Sequence, residues 1–200
     1  IRERLEADSE LSELVQQRPG LRVPGAIDGF ELGLRAILGQ QVSVKAASTL
    51  GGRLAERFGE PADLGMTGLT RFSISPESLI EAEADAIAAL GMPQSRAASL
   101  VALSRAVVDG VLRLEPGVDV DETVKRLQSL PGIGPWTAQY IAMRALHWPD
   151  AFPSGDLALR KALGGMSPAR LIEVAEHWRP WRAYAAMQLW QGLSSMPKER

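Results

Sequence analysis

The chain has 200 residues, of which 46% are hydrophobic and 23% are charged, and its formal net charge is −2. This balance is typical of a globular protein and excludes a disordered or fibrous chain. The sequence contains no cysteine, which excludes disulfide bridges, thiolate metal sites and iron–sulfur clusters. No apolar run approaches the ~20 residues needed to cross a bilayer, so we expect no membrane partner.

The charged residues are distributed unevenly along the chain. Residues 1–124 carry 12 Lys and Arg against 19 Asp and Glu, whereas residues 125–200 carry 10 against 5. Attraction to phosphate is local and falls off over about 8–10 Å at ordinary salt. The basic C-terminal part can therefore bind nucleic acid although the whole chain is slightly acidic. On charge alone, a solvated basic surface without a partner is an equally good interpretation.

Helix start and stop signals divide the chain into about ten short helices. The signals are side-chain caps, prolines at the first helical position and glycines at the C-terminus. In chain order they predict helices at 9–17, from Asp28 to Leu38, from Ser43 to Gly59, at 76–82, up to Gly91, from Pro93 to Asp109, from Asp121 to the turn at 132–134, from Pro135, at 157–163, from Ser167 to His177 and at 181–193. No strand-like alternation and no internal repeat occurs. The sequence therefore predicts an all-α protein in one compact body or two closely packed lobes.

A glycine turn stands between two of these helices. Gly132 and Gly134 flank the hydrophobic Ile133, and Pro135 opens the following helix. Glycine tolerates positive φ, and a turn of this kind directs backbone N–H groups outward beside the positive end of the helix. We therefore predict that Gly132, Ile133 and Gly134 bind an anion such as phosphate, with the Ile133 side chain packed inward. A corner that needs glycine only to turn is the alternative.

An isolated aspartate, Asp156, follows Gly134 by 22 residues in a Pro-Ser-Gly-Asp loop. At the start of the helix at 157–163 it is expected to act as a cap, which contributes ~1 kcal/mol. A carboxylate beside an anion-binding turn is also suited to chemistry. From the residue alone, the plain helix cap is the favoured interpretation.

The motif around the turn resembles the helix–hairpin–helix (HhH-GPD) DNA glycosylases. It comprises Leu130-Pro131-Gly132-Ile133-Gly134, then Trp136-Thr137-Ala138, then Asp156. Three further segments, 30–44, 89–96 and 178–190, resemble the 3-methyladenine DNA glycosylase II type, and the resemblance covers roughly Arg18 to Ser195. It implies two closely packed helical lobes with the active site in the cleft between them. It also implies an N-terminal helix and linker at 1–24 and a glycosylase domain at 25–200, with the hairpin at 128–140 and the catalytic loop at 152–157. We expect no N-terminal β-rich domain, although family members of this type often carry one.

The resemblance implies a monofunctional enzyme that flips alkylated purines, such as 3-methyladenine and 7-methylguanine, out of the duplex and hydrolyses the N-glycosidic bond. Asp156 is the implied catalytic carboxylate, since a fixed anion stabilises the positive charge that develops on the sugar. Family members that also cut the strand carry a lysine at the position of Trp136. No Schiff-base nucleophile is therefore available there, and we expect an abasic-site product without lyase activity.

The other implied site residues form a base pocket and a DNA-binding surface. The expected base pocket, whose electron-rich rings stack on a cationic base, consists of Trp136, Tyr140 and Trp190. The other tryptophans are expected in the core: Trp148, Trp178 and Trp181. The expected wedge, which fills the gap left by the flipped base, is Gln94 together with Met92. The candidate phosphate partners are Arg144, Arg160, Lys161 and Arg182.

We expect no required cofactor and no zinc site, because His147 and His177 have no companions at ligand spacing. Hairpins of this superfamily can hold a cation on backbone carbonyls, which implies a sodium, potassium or magnesium ion at Leu130 and Ile133. The expected partner is double-stranded DNA containing a damaged purine, bound by a monomer in the cytoplasm in association with the nucleoid. Three alternatives stay open: a helix–hairpin–helix module that binds DNA without catalysis, a glycosylase for another lesion such as hypoxanthine or an oxidised purine, and an all-α protein–protein adaptor.

Overall fold

The computed structural model describes residues 1–63, 65–68 and 70–195. These residues form twelve α-helices and one 3-10 helix, and they contain no β-strand. In chain order the helices are α1 (Arg2–Glu6), α2 (Ser12–Gln17), α3 (Gly29–Leu38), α4 (Val44–Phe58), α5 (Pro76–Glu81), α6 (Ala84–Ala88), α7 (Gln94–Val108), α8 (Val120–Ser129), α9 (Pro135–Arg144), α10 (Leu157–Ala162), α11 (Pro168–Ala175), the 3-10 helix (Glu176–Trp178) and α12 (Arg182–Ser195). The all-α prediction is confirmed. Positions 64, 69 and 196–200 of the predicted domain lie outside the described residues. Among the helices that the structure describes, none has the length and hydrophobicity of a membrane-spanning segment.

Side-chain caps start several helices where the sequence predicted them. The cap residues each accept a hydrogen bond from the main-chain N–H three residues on, at 2.9 to 3.3 Å: Asp28, Ser43, Ser75 and Ser167. The predicted start at Asp121 is wrong, because Asp119 caps α8. Helix α1 was not predicted because it is five residues long and no side chain caps it.

Helices α3, α7 and α9 form the centre of the molecule. Helix α3 contacts both of the others, and seven of its ten residues are buried. At Gly33 an added Cβ would lie 3.0 Å from Leu103 Cδ2, so a small residue allows α3 and α7 to approach closely. Ile37, Leu103 and Ile141 are fully buried where the three helices meet. Because α9 begins at the hairpin, this packing fixes the hairpin against the core.

The first two helices, α1 and α2, pack against the C-terminal part of the chain. Trp178 is completely buried, as predicted, and its indole N–H donates to Asp8 Oδ2 (2.9 Å). Leu11 and Val15 belong to the same cluster of buried side chains as the later helices. Buried side chains from both sides of residue 24 form one connected core. The domain boundary at this residue stays a prediction.

An acidic residue anchors the start of α12. Asp150 is 7% exposed and accepts hydrogen bonds from Arg182 Nε (2.8 Å) and Nη2 (2.9 Å), and also from Arg179. Arg179 donates in addition to Glu176, and this hydrogen bond lowers the pKa of the Glu176 carboxyl below its usual value. Arg182 is thus an internal ion-pair partner and not the surface phosphate partner that we expected.

We predict that Asp150→Ala lowers the free energy of unfolding by about 3 kcal/mol, because Arg182 would keep its charge in a largely buried site with only the 3.3 Å contact to Glu176 left. Glu173→Ala, which breaks the exposed ion pair with Arg170, should cost less than about 1 kcal/mol. Urea denaturation followed by circular dichroism measures both variants. Equal losses would contradict the internal role of Asp150.

Candidate active site

The turn between α8 and α9 has the features of a type II β-turn. Pro131 and Gly132 occupy its central positions, Gly132 has φ +75°, and the Ile133 N–H donates to the Leu130 carbonyl oxygen (3.2 Å). Glycine is needed at 132 for a second reason, because a Cβ there would lie 2.1 Å from Ser99 Oγ on α7. The turn is therefore held tightly against the core.

The second glycine of the hairpin is under no such constraint. Gly134 is exposed, its φ is −83°, and a Cβ on it would meet no atom within 4 Å. The N–H groups of Trp136 and Thr137 follow it in the first turn of α9, where they have no acceptor inside the helix, and Pro135 has no N–H. The open space at Gly134 and these N–H groups make the helix N-terminus a suitable face for an anion.

Ile133 takes part in the hairpin differently from our expectation. Its side chain is 3% exposed and packs in the core, as predicted. Its N–H, however, is engaged with Leu130 inside the turn and is not directed at an external anion. The N–H groups that are left for an external anion are therefore those at the start of α9.

The predicted cation site consists of main-chain carbonyls in the same turn. The Leu130 carbonyl accepts the Ile133 N–H, which leaves it one further lone pair for an ion. Among the residues that the structure describes, no group of three or more His, Cys, Asp or Glu is placed to hold a metal. Any ion at the hairpin would thus be held by the backbone.

Three helices contribute hydrogen-bond donors to the half-buried Asp156 carboxylate. Oδ1 accepts from the Leu159 N–H of α10 (2.9 Å) and from Trp190 Nε1 of α12 (3.0 Å). Oδ2 accepts from Trp136 Nε1 of α9 (2.9 Å). The predicted helix cap is confirmed, but it uses only one of the three contacts. Since a carboxylate oxygen accepts about two hydrogen bonds, Oδ1 is saturated and Oδ2 keeps one direction for a further partner.

The predicted aromatic residues come together, and two of them use their N–H groups. Trp136 and Trp190 both donate to Asp156, and Trp136 also stacks on Tyr140 with ring centroids 5.3 Å apart and planes inclined by 6°. Arg144 lies over the Tyr140 ring, 5.6 Å from its centroid, and donates to the hydroxyl oxygen (2.9 Å). Arg144 therefore orients Tyr140 with part of its guanidinium, and its contact with a phosphate stays a prediction.

A cavity of about 260 Å³ lies beside Tyr140, between it and the junction of α3 and α4. Its lining combines the apolar Leu38, Val42, Val44 and Ala47 with the polar Arg35 and Ser48. The volume lies below the roughly 300–1,000 Å³ of sites for drug-sized ligands, which suits one small planar molecule. Tyr140 is shared by this cavity and by the aromatic stack that reaches the carboxylate.

The two residues of the expected wedge differ in exposure. Gln94 is exposed at the start of α7, and its amide nitrogen donates to Asp85 Oδ1 (2.5 Å). Met92 is 6% exposed and belongs to the hydrophobic core, so its side chain is not available for the DNA contact that we expected. The flanking Gly91 and Pro93 suggested a surface loop, but the methionine between them points inward.

The two remaining basic candidates lie on α10, soon after the catalytic candidate. Lys161 is exposed. Arg160 is half-buried, and its Nε donates to the Met166 carbonyl oxygen (2.8 Å). Lys161 therefore presents its charge to solvent, whereas Arg160 has part of its guanidinium committed to the fold.

Sequence reasoning missed two adjacent glutamines after α3. Gln40 donates from Nε2 to the Gly132 carbonyl oxygen (2.9 Å) and to Thr137 Oγ1 (3.0 Å). Gln41 is exposed with φ +53°, one of two non-glycine residues with positive φ in the described ranges. The sequence signal that could have identified them is the pair of polar residues between the apolar end of α3 and the helix cap Ser43.

A third missed glutamine contacts the loop before Asp156. Gln139 on α9 accepts at Oε1 from the Phe152 N–H (3.0 Å). The loop then continues through main-chain hydrogen bonds from Ser154 to Phe152 (2.9 Å) and from Asp156 to Pro153 (2.9 Å). Gln139 thus fixes the beginning of the segment that delivers the carboxylate.

The chain is similar to known proteins along most of its length. A family model described as HhH-GPD superfamily base excision DNA repair protein matches residues 34–167. The chain is 42% identical to the DNA-3-methyladenine glycosylase 2 of Escherichia coli (strain K12) over 189 residues, which cover 94% of this chain and 66% of that protein. It is 30% identical to the DNA-3-methyladenine glycosylase of Bacillus subtilis (strain 168) over 201 residues, which cover 96% of this chain and 66% of that protein. The chain therefore spans slightly less than two thirds of each relative.

A solved structure has the same fold. The Schizosaccharomyces pombe 3-methyladenine DNA glycosylase in complex with abasic DNA matches with a TM-score of 0.78 and 22% identity, covering 100% of this chain and 98% of that chain. At this identity the match establishes the fold alone.

We predict that alanine substitution destabilises the protein at one hairpin glycine and not at the other. Gly132→Ala should lower the free energy of unfolding by about 2 kcal/mol or more, from the left-handed φ and the contact with Ser99. Gly134→Ala should leave it unchanged within about 0.5 kcal/mol, since its Cβ meets open space. Differential scanning calorimetry measures both, and a loss at Gly134 as large as that at Gly132 would show that the turn geometry is wrong.

Proposed function

Because the chain belongs to the HhH-GPD superfamily of base excision DNA repair proteins, we propose that it is a DNA glycosylase for alkylated purines. It flips a cationic purine such as 3-methyladenine or 7-methylguanine out of double-stranded DNA and hydrolyses the bond between base and sugar. Water supplies the hydroxyl that bonds to the sugar carbon and gives up its other proton to the carboxylate or to solvent, and the cationic base leaves as a neutral molecule with the electron pair of the broken bond. The names of the relatives at 42% and 30% identity support this substrate class.

The hydrogen bonds on Asp156 are the observation that carries the proposal. Departure of the base develops positive charge on the sugar, and a carboxylate stabilises that charge best when it does not have to reorient during the reaction. The N–H groups of Leu159, Trp136 and Trp190 already hold both carboxylate oxygens. Oδ2, which keeps one acceptor direction, is the atom that faces the sugar or the attacking water.

The cavity beside Tyr140 receives the flipped base. Its apolar side, formed by Leu38, Val42 and Val44, suits a planar ring that has left the base stack. The stack of Trp136 on Tyr140 extends from the carboxylate toward it. Because Arg144 donates to the Tyr140 hydroxyl oxygen, the hydroxyl hydrogen is left to donate to an acceptor on the base. An N3- or N7-alkylated purine is already a good leaving group, so the proposal requires no general acid. Trp190 completes the pocket as the third aromatic residue.

The DNA strand lies over the N-terminus of α9. The exposed Gly134 lets a phosphate approach the first-turn N–H groups, and Lys161 adds a positive charge in the basic part of the chain. Gln94 stays our proposed wedge on the basis of its exposure. Gln41 is a second candidate, supported by its exposure and by a left-handed backbone, which non-glycine residues adopt at a cost and most often at functional sites.

The alternatives explain less of the geometry. A module that binds DNA without catalysis needs the hairpin but gives no reason for three donors on Asp156. A protein–protein adaptor gives no reason for either feature. A glycosylase for hypoxanthine or an oxidised purine would share the carboxylate and would differ from the proposal only in the base that it releases.

We further propose that the protein acts as a monomer on nucleoid DNA in the cytoplasm, and that hydrolysis requires no cofactor. A sodium, potassium or magnesium ion bound by the main-chain carbonyl oxygens of Leu130 and Ile133 would stabilise the conformation of the hairpin. The remaining lone pair on the Leu130 carbonyl fits such an ion. The ion takes no part in the cleavage itself.

We predict that Asp156→Asn lowers base release by about 100-fold or more, because the amide has the shape of the carboxylate without its charge. Binding to lesion-containing duplex DNA should be retained. Chromatography of 3-methyladenine and 7-methylguanine released from methylated duplex DNA in single turnover gives the rate, and a gel shift gives binding. Asp109→Asn, at the exposed end of α7, is the matched control.

The same assay separates the alternatives. A gel shift without base release by the wild-type protein would favour the binding module, and release of hypoxanthine alone would favour another lesion. Release at the wild-type rate by Asp156→Asn would show that this carboxylate is not catalytic.

We predict that Trp136→Phe and Trp190→Phe each lower the single-turnover rate by about tenfold, since phenylalanine keeps a ring but removes the N–H that holds Asp156. DNA affinity should change little, because neither N–H contacts the hairpin. Trp181→Phe serves as the control for loss of an indole elsewhere. Wild-type rates in both variants would contradict the role of these N–H groups in positioning the carboxylate.

We predict that borohydride traps no covalent complex between the protein and lesion-containing DNA. Trp136 occupies the position at which strand-cutting members carry a lysine, so no amine is available there to form a Schiff base. Denaturing gel electrophoresis after reduction detects such a complex, with a strand-cutting member of the superfamily as positive control. A trapped adduct would contradict the monofunctional assignment.

A further inference from the structure

We propose that Gln40 is the positioning residue that sets the hairpin for DNA, an inference that rests on the proposed function. Its amide nitrogen has two hydrogens, and both are committed to the hairpin. One reaches the Gly132 carbonyl oxygen at 2.9 Å and the other reaches Thr137 Oγ1 at 3.0 Å. These acceptors flank the anion-binding face, with Gly132 before it and Thr137 in the first turn of α9.

The contact at Gly132 fixes the orientation of one peptide plane. The C=O of Gly132 and the N–H of Ile133 belong to the same planar trans peptide and point in opposite directions. With the C=O held by Gln40, the N–H is directed at the Leu130 carbonyl, which it contacts at 3.2 Å. The turn is closed in this way, and the following N–H groups at the start of α9 stay available to an external anion.

Gln40 is itself held from the opposite side. Its main-chain carbonyl accepts from Arg96 Nη2 on α7 (2.5 Å), and it directly precedes the exposed Gln41. Ser99 on the same helix packs against Gly132. Helix α7, the end of α3 and the hairpin therefore meet at this one residue. Loss of its contacts would move the hairpin and the Gln41 turn relative to each other, which weakens DNA binding. Helix α9 stays packed on α3 through buried residues such as Ile141, so Trp136 keeps its contact with Asp156 and the chemical step stays in place.

Gln139 provides a matched comparison at the catalytic loop. The Phe152 N–H can only donate and the Gly132 C=O can only accept, so Gln139 acts as an acceptor and Gln40 as a donor. Glutamate accepts but does not donate when ionised. Gln139→Glu therefore keeps its contact. Gln40→Glu loses the contact with the Gly132 carbonyl oxygen and places a negative charge against it, and it can contact Thr137 only by accepting from the hydroxyl.

The experiment compares Gln40→Glu and Gln40→Met with Gln139→Met and Gln139→Glu in the full chain. Fluorescence anisotropy with a duplex that contains a stable abasic-site analogue gives DNA affinity. Single-turnover release of 7-methylguanine at saturating protein gives the chemical rate. Gln16→Met, which changes an exposed glutamine on α2, controls for the loss of an amide.

We expect both Gln40 variants to bind DNA about tenfold more weakly or worse, with a saturating rate close to that of the wild type. We expect Gln139→Met to show the reverse pattern, and Gln139→Glu to recover part of the lost rate. Thermal unfolding tests whether the Gln40 variants stay folded. If they do not, Arg96→Met, which releases the main chain of Gln40 without changing a hairpin contact, should show the same loss of affinity.

Gln40 variants that bind as tightly as the wild type, or that lose saturating rate and keep affinity, would overturn the inference. A wild-type protein that releases methylated purines while the Gln40 and Arg96 variants bind normally would leave the proposed function intact and refute this inference alone. A wild-type protein that neither binds the duplex nor releases a base would overturn both.

Discussion

One carboxylate joins three helices that are far apart in the chain. Asp156 accepts N–H groups from its own helix α10, from Trp136 at the start of α9 and from Trp190 near the end of α12. A charged group in a partly dry site is stable only when such donors are present. The geometry of this centre therefore depends on how each of the three helices is packed.

The packing of these helices follows from separate interactions. Helix α9 lies against α3, and α12 is anchored where Asp150 pairs with Arg182. The hairpin that begins α9 is closed by its own turn and held by Gln40. The same helix thus carries a surface suited to an anion and the Trp136 ring at its first turn, and Tyr140 of the candidate pocket one turn later. This arrangement places the surface suited to an anion next to the carboxylate on one scaffold.

Local signals explain why much of the fold could be predicted from the sequence. Side-chain caps such as Asp28 and Ser43 mark helix starts by a contact three residues away, so they act in almost any tertiary context. Pro131 and Gly132 are the residues that the central positions of a type II turn demand. Asp156 was found because its spacing from the hairpin resembles a known family, and its cap contact alone would not have distinguished it.

Contacts between distant residues explain what could not be predicted. An indole presents either its ring or its N–H, and nothing in the sequence says that Trp190 turns the N–H toward a carboxylate 34 positions away. Arg182 looked like a surface cation until the fold supplied Asp150, 32 positions away. Gln40 and Gly132 are separated by 92 positions, so their contact is a product of the completed core.

The late position of Trp190 also has a consequence for biosynthesis. Ribosomes deliver about 5–20 residues per second, N-terminus first, so Asp156 and its cap partner emerge before the helix that carries Trp190. Until that helix docks, the carboxylate has two of its three donors. A nascent chain would therefore contain the whole hairpin for some seconds before the candidate catalytic carboxylate has all its donors.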